Sequence, residues 1–227
     1  PFGLGKPEKR PAGISGFSQY DKLYADVELW LAKGWMDYLA PQLYWPIEQK
    51  AQAFGVLLDY WLRENTAGRH IWSGLYTSRI LDGANPNPGD AAKSWEPKEI
   101  LDQIALVRSR STTNTTAQGQ IHFSAVALTQ NRKGVSDQLR AVSYPSPALV
   151  PASPWLSSAP AAPILKVSND PATGKPLLLA APGAGDTPVQ YVVWTRSDAG
   201  WTWRTVPVTR ESSGAVRWLE LPAGGTE

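Results

Sequence analysis

Hydrophobic and polar positions follow two alternating patterns along residues 1–144. Short, nearly continuous apolar runs predict strands that are buried on both faces, and these runs lie at 1–5, 36–45, 70–76 and 120–128. Runs with apolar residues three and four positions apart predict amphipathic helices, and these lie at about 18–33, 49–64, 97–110 and 133–144. Strands that alternate with helices indicate a parallel α/β sheet. Periodicity alone fits a doubly wound sheet and a (β/α)8 barrel equally well.

The pattern changes after Tyr144. Residues 145–162 are rich in Pro, Ala and Ser and carry no charge, which predicts a linker. Residues 163–227 contain about five short strand-like runs separated by turn residues, typical of an antiparallel sandwich, which usually has about seven strands. The second domain is therefore expected to be a small, incomplete sandwich. We expect at least two of its tryptophans Trp194, Trp201 and Trp203 to lie in its core.

Composition excludes several classes of function. The formal net charge is +2, without a polybasic stretch, so no nucleic-acid partner is indicated. The absence of cysteine excludes disulfides and cysteine-based metal sites, and His70 and His122 are too far apart in sequence to suggest a metal site. The glycine-rich stretch 182–185 has no helix after it, so it predicts a turn and no phosphate-binding loop. No cofactor is predicted, and no apolar stretch reaches the ~18 residues of a membrane span.

Eleven tryptophans are the unusual part of the composition. Indole rings bury a large area, and their flat faces also stack on sugar rings. For any single tryptophan, core packing is the simpler interpretation. The number as a whole directs attention to carbohydrate binding.

One segment is similar to a known family. Asp26 precedes Trp30, and the following strand reads Asp-Tyr-Leu-Ala-Pro-Gln-Leu-Tyr-Trp over 37–45. Three further matches follow in order, namely Trp61, the run 74–76 and the run 119–124. In these features the chain resembles the glycosyl-hydrolase-like-10 family of bacterial envelope proteins. The run 190–194 also resembles the fibronectin-III-like module that this family often appends.

The resemblance implies a fold and a function. It implies that residues 1–144 are the later strands of a (β/α)8 barrel, and that residues 163–227 are a truncated fibronectin-III-like sandwich. Family members cleave glycan strands, including peptidoglycan stripped of its peptides. The implied parent is an exported glycoside hydrolase in the periplasm, the cell envelope or the medium, whose catalytic carboxylates lie on earlier strands. We therefore expect this chain alone to be inactive.

Candidate site residues follow from the rule that barrel active sites lie at the carboxyl ends of the strands. The predicted substrate-binding residues are Gln42, Tyr44, Trp45, Trp72, Tyr76 and Ser124. Glycoside hydrolysis usually needs two carboxyl groups flanking the bond, and these strand ends supply none directly. The nearest carboxylates are Glu48 and Asp82, so both are catalytic candidates.

Several interpretations stay open at this point. Gln42 either lines a wet, sugar-filled mouth or forms hydrogen bonds within the barrel, and Trp45 and Trp72 either stack on sugars or pack between strands and helices. Asp26 and Asp37 match family positions, but structural roles suit them better. The alternative function is a non-catalytic carbohydrate-binding or envelope-scaffold protein, and a third option is that the sandwich serves only as a spacer or a protein-contact module. An incomplete barrel has an open strand edge, which predicts self-association.

Overall fold

The chain has two compact units. The computed structural model describes residues 1–82, 94–117, 119–146, 148–184, 188–198 and 200–208, and the backbone of 217–220. The units are Pro1–Ser153 and Pro154–Glu227, and the division lies inside the predicted linker. In the described ranges, no helix combines the length and the apolar character that crossing a bilayer requires.

The first unit alternates helices with strands. In chain order its elements are α1 (Gln19–Leu23), α2 (Val27–Ala32), β1 (Tyr38–Leu39), α3 (Phe54–Glu64), β2 (His70–Leu75), α4 (Pro97–Ser111), β3 (Gly119–His122), α5 (Ala125–Thr129) and α6 (Val135–Gln138). A π-helical turn, Leu139–Ser143, follows α6, and short 3-10 turns cover Pro7–Lys9, Thr77–Arg79 and Arg132–Gly134. This mixture confirms the predicted α/β class.

The strands form one parallel sheet in the order β1-β2-β3. Residues 1–5, which we call the amino-terminal stub, extend this sheet. Phe2 forms a parallel bridge with Gln42, and Gln42 in turn forms a bridge with Gly74. Trp72 lies opposite Gly119 and Leu75 opposite His122. Four chain segments therefore lie side by side in sequence order, with their carboxyl ends at one edge.

β1 is much shorter than the predicted strand at 36–45. Pro41 has no N–H group and cannot donate a ladder hydrogen bond, so regular pairing ends before it. Its carbonyl oxygen still accepts a hydrogen bond from the Gly74 N–H (2.9 Å), and the Leu43 N–H donates to the Gly74 oxygen (3.1 Å). The segment after Pro41 therefore stays aligned beside β2.

Two further expectations about elements are wrong. The single helix predicted at 18–33 is divided in two, because Tyr24 adopts a left-handed conformation (φ 53°) that ends α1. Asp26 then caps α2, its Oδ1 accepting a hydrogen bond from the Leu29 N–H (3.0 Å). The strand predicted at 120–128 ends at His122, and Ala125–Thr129 is helical. The apolar run continues across this change, so it carried no signal for the boundary.

The core of the first unit lies between the helices and one face of the sheet. Its fully buried side chains include Leu39, Leu43, Leu57, Trp61, Ile71, Leu75, Ile100 and Ile104. The Trp61 indole N–H, buried among them, donates to the carbonyl oxygen of Gly3 (2.8 Å). The stub is thereby joined to α3 as well as to the sheet.

A buried charge network fixes the segment that follows the stub. The carboxylate of Glu28, only 4% exposed, accepts hydrogen bonds from the Lys6 N–H (2.6 Å) and the Tyr60 hydroxyl (2.5 Å). Burial and this carboxylate together raise the pKa of Tyr60. Lys6 also forms an ion pair with Asp26 (2.7 Å). Asp26 and Glu28 thus have structural roles.

In the described residues, the second unit has five strands in two antiparallel sheets. These strands are β4 (Ile164–Asn169), β5 (Pro176–Ala181), β6 (Gln190–Ser197), β7 (Gly200–Pro207) and β8 (Arg217–Glu220). One sheet has the order β4-β5-β8, and the other is the β6–β7 ribbon. A small core joins Ala180 and Leu178 of β5 to Tyr191, Val193 and Val206 of the ribbon.

The expected burial of the ribbon tryptophans is wrong. Trp194 is 54% exposed and Trp201 is 63% exposed. The reason is register, since Trp194 pairs with Trp203 and Arg196 with Trp201, and directly paired residues share a side of an antiparallel ribbon. All three indoles lie on the side opposite the small core.

Candidate functional site

Three aromatic side chains meet at the carboxyl edge of the parallel sheet. Tyr44, Tyr76 and Phe123 each follow a successive strand. Their ring centroids are 5.0 Å apart for Tyr44 and Tyr76, 5.4 Å for Tyr44 and Phe123, and 6.0 Å for Tyr76 and Phe123. These separations lie within the range of favourable aromatic pairs. We call the three residues the edge cluster.

The edge cluster offers ring surface to solvent. Phe123 is 50% exposed, and the two tyrosines are half-buried. The arrangement depends on Gly74, because a Cβ atom at this position would lie 3.3 Å from Cε1 of Tyr44 and 2.9 Å from the Pro41 oxygen. The missing side chain lets the Tyr44 ring lie against the backbone of β2.

A fourth ring, Trp95, borders the edge cluster just before α4. It meets Tyr76 edge-on at 6.1 Å between centroids. The Lys133 ammonium holds this segment by donating to the Trp95 oxygen (3.2 Å), Ser94 Oγ (3.0 Å) and Glu96 Oε1 (2.7 Å). Sequence reasoning missed Trp95 because it follows a loop in which neither strand nor helix periodicity fixes a side chain's direction.

Two polar groups accompany the rings. Gln42 is half-buried, and its side-chain amide makes no hydrogen bond with the part of the chain that the structure describes. Burial, with a smaller contribution from Tyr76, raises the pKa of Tyr44, so its hydroxyl keeps its proton at neutral pH. An amide and a protonated hydroxyl suit the hydroxyl groups of a neutral ligand, to which both can donate and from which both can accept.

The other predicted binding residues lie apart from the edge cluster. Trp45 packs against the core, and its carbonyl oxygen accepts a hydrogen bond from Gln103 (3.1 Å). Trp72 lies nearer the amino end of β2, where its ring stacks on Tyr38 (4.3 Å) and His70 (5.7 Å). Ser124, half-buried, stands at the start of α5 without capping it. Of the predicted set, the structure brings Tyr44 and Tyr76 together.

Two of the three carboxylates near this edge, those of Asp82 and Glu99, have hydrogen-bond partners within the fold. Oδ1 of Asp82 accepts a hydrogen bond from the Lys133 N–H (3.0 Å), and Glu48 is exposed on the loop after Trp45. Oε1 of Glu99 accepts hydrogen bonds from the Ile47 N–H and from Gln103, both at 2.8 Å. Glu99 therefore holds the loop that follows Tyr44 and Trp45. Within the described ranges, no cluster of three potential metal ligands is found.

His122 is part of the structural support behind Phe123. Its Nδ1 lies 2.7 Å from Thr77 Oγ1 and its Nε2 lies 3.0 Å from the Tyr144 hydroxyl. Burial lowers the pKa of His122, which keeps the ring neutral. Hydrogen bonds from the Ser78 N–H (2.9 Å) and hydroxyl (3.1 Å) to the Phe123 oxygen join the ends of β2 and β3.

Comparison with known proteins gives consistent matches. Residues 8–92 match the family described as Glycosyl hydrolase-like 10. The chain is 37% identical over 177 residues to glycosyl hydrolase YngK of Bacillus subtilis, a match that covers 75% of this chain and 33% of that relative. It is 44% identical over 46 residues to glycosyl hydrolase DigH of Escherichia coli and of Shigella flexneri, covering 20% of this chain and 10% of each relative.

These matches bear on the family and on the general function. The chain spans about a third of the length of YngK and matches a tenth of DigH. The similarities support the resemblance to this family and a function related to glycoside hydrolysis. The family match also implies a barrel-like domain, consistent with the parallel sheet in which successive strands are neighbours.

Proposed function

We propose that this chain supplies part of the glycan-contacting surface of a glycoside hydrolase related to the glycosyl-hydrolase-like-10 family. The observation that carries the proposal is the edge cluster, where three rings from successive strand ends present ring surface beside Gln42, whose amide has no hydrogen-bond partner among the described residues. Apolar faces of sugar rings stack on aromatic side chains, and sugar hydroxyls exchange hydrogen bonds with amides. The position also agrees with the carboxyl-edge location of barrel active sites.

The substrate we propose is bacterial cell-wall glycan or a related polysaccharide. The resemblance to an envelope family supports this choice, and the same resemblance supports an exported, envelope-associated location. The geometry agrees in one respect, since Gln42 and the protonated Tyr44, two polar groups beside the rings, carry no charge. They suit a chain of hydroxyl-bearing sugar rings.

We further propose that the chain on its own does not hydrolyse glycan. A retaining enzyme needs two carboxyl groups about 5–5.5 Å apart and an inverting enzyme needs them about 6.5–9.5 Å apart. Asp82 is engaged by Lys133, and Glu48 lies on an exposed loop. We expect no turnover of a labelled glycan by this chain. Robust turnover that Glu48→Gln or Asp82→Asn abolishes would contradict the proposal.

Binding is tested by pull-down of the purified chain with insoluble peptidoglycan and with chitin. The double variant Gln42→Ala/Tyr44→Ala is compared with Trp35→Ala, which removes a 68% exposed indole away from the edge cluster. We expect the double variant to lose binding and Trp35→Ala to keep it. If the double variant is folded and binds as the unaltered chain does, the edge cluster is not part of the glycan-binding site.

A non-catalytic carbohydrate-binding or scaffold protein is the second candidate. It is favoured by one observation, namely that the carboxylates of Asp82 and Glu99 accept hydrogen bonds from the backbone of neighbouring loops. Activity measurements on a longer protein that contains this chain would distinguish the two candidate functions. Glycan turnover that depends on paired Asp or Glu residues outside this chain supports the enzyme, and binding without turnover supports the scaffold.

A further inference from the structure

We propose that the outward side of the β6–β7 ribbon is a second glycan-binding surface, and that it takes a linear polysaccharide bearing carboxylate groups. The proposal goes beyond the edge cluster, because the ribbon belongs to the other compact unit. It needs no catalytic role for either unit.

One side of the ribbon faces the small core of the unit, and the other side faces outward. Tyr191, Val193 and Val206 point to the small core. The opposite side follows from the register, in which Val192 pairs with Thr205, Trp194 with Trp203 and Arg196 with Trp201. Three indoles, a guanidinium and a hydroxyl thus line one outward side, which we call the tryptophan face.

Two of the three indoles of the tryptophan face are largely exposed, and Trp203 is half-buried. Trp194 is 54% exposed and Trp201 is 63% exposed, so most of their apolar area gains nothing from burial. Trp194 and Trp203 lie 6.2 Å apart between ring centroids, which places two indoles side by side across the ribbon. Trp201 lies two positions before Trp203 on the same strand, so its side chain is on the same side of the ribbon. Large exposed apolar patches of this kind mark interaction sites.

Charge narrows the choice of ligand. The Arg196 guanidinium lies 5.9 Å from the centre of the Trp201 ring, which orients it on the tryptophan face. The sequences of β6 and β7 contain no Asp or Glu, and the nearest acidic residue along the chain, Asp198, lies in the turn between the two strands. A guanidinium pairs with a carboxylate through two parallel hydrogen bonds.

These features together describe the occupant. Flat indole faces accept the apolar faces of sugar rings, and adjacent indoles accept adjacent rings of a chain. Thr205 adds a hydroxyl that can donate to or accept from sugar hydroxyls. Arg196 then selects rings that carry a carboxylate. An acidic linear polysaccharide meets all of these conditions.

The experiment follows the indole N–H signals of the full chain by NMR while a hexagalacturonate is added. Cellohexaose is the neutral comparison. The Trp194→Ala and Trp201→Ala variants identify the signals that belong to the tryptophan face. Gln42→Ala/Tyr44→Ala removes one ring of the edge cluster and the amide next to it, and Trp35→Ala is the matched control. Arg196→Gln tests the charge.

We expect the acidic ligand to shift the Trp194 and Trp201 signals, with at least tenfold weaker binding in Arg196→Gln and weaker binding at higher salt. The shifts should persist in Gln42→Ala/Tyr44→Ala and in Trp35→Ala, which separates this surface from the proposed function. Three results would overturn the proposal: signals that stay fixed at millimolar ligand, equal binding of cellohexaose, or shifts that follow protein concentration and so report self-contact.

Discussion

Tyr44 and Tyr76 stack at the ends of neighbouring strands, with their ring centroids 5.0 Å apart and their planes inclined by 28°. Gly74 makes this contact possible, because any larger residue would press against the Tyr44 ring. Phe123 completes the group from the third strand. The rings therefore stabilise one another across strand ends that belong to different parts of the sequence.

The edge cluster should show energetic coupling. Tyr44→Ala and Phe123→Ala each remove one ring of the same stacked pair. Their effects on the free energy of unfolding should therefore not be additive. We expect a coupling free energy of about 0.5–1.5 kcal/mol, measured from urea unfolding of both single variants and the double variant. The pair Tyr44→Ala and Val142→Ala is the control, since Val142 is 65% exposed on the π-helical turn. Strict additivity for Tyr44 and Phe123 would show that their contact contributes nothing.

Gly5 should be intolerant of even one added carbon. A Cβ at this position would lie 2.1 Å from the Tyr60 hydroxyl, the group that donates to the buried Glu28. We expect Gly5→Ala to lower the free energy of unfolding by about 1–3 kcal/mol. The control is Gly55→Ala within α3, where the nearest atom is a side-chain carbon of Leu106 at 3.2 Å and alanine favours the helix. A Gly5→Ala variant as stable as Gly55→Ala would contradict the buried network.

His122 should make stability depend on pH. Burial lowers its folded-state pKa below the unfolded value of about 6.5. As the pH falls, the unfolded chain therefore binds the proton first, and the stability that belongs to the neutral ring is lost. We expect the melting temperature to fall between about pH 7 and pH 5.

Melting temperatures of histidine variants, measured over the same pH range, show which residue causes the pH dependence. His122→Gln should flatten the pH profile, and His70→Gln/His122→Gln should flatten it further, because burial also lowers the pKa of His70. An unaltered slope in the double variant would assign the pH dependence to other groups.

The predicted self-association can be tested on β3, the last strand of the parallel sheet. Ile121 is 39% exposed on this strand, and an edge strand with apolar side chains favours pairing with another chain. We expect oligomers by light scattering at high protein concentration, and Ile121→Lys should return the chain to a monomer. Val126→Lys, at an equally exposed position on α5, should have no effect. A wild-type chain that is monomeric at all concentrations would rule out this association.

Sequence periodicity predicted the order of the elements well and their ends less well. The α/β alternation, the helix at 97–110 and the strand at 70–76 follow from strong apolar patterns, and α4 and β2 differ from them by one residue. The helix predicted at 18–33 failed at Tyr24, because a left-handed residue other than glycine leaves no compositional signal. The strand predicted at 36–45 failed at Pro41, where the missing N–H should have been weighed against the apolar run.

Side-chain roles were harder to predict than elements. Alternation correctly separated Gln42 and Tyr44 from Trp45, but it could not show that Trp72 lies nearer the amino end of its strand, away from the edge cluster. Trp95 and the exposure of Trp194 depend on loop geometry and on strand register. Such information arises from pairing between distant segments, which a single sequence does not report.

The alternation of the parallel sheet has a consequence for mutational scanning. In the segments of β1 and β2, odd-numbered residues such as Leu43 and Leu75 face the core. The even-numbered Tyr44 and Tyr76 lie on the other side of the sheet. The phase reverses in the third segment, where His122 faces the helices and Phe123 does not. A map of all single substitutions would therefore separate abundance from ligand affinity by the parity of the residue number. A library restricted to one parity per strand, with Gly74 and Gly119 kept because a side chain there would clash with its neighbours, could vary recognition while leaving folding intact.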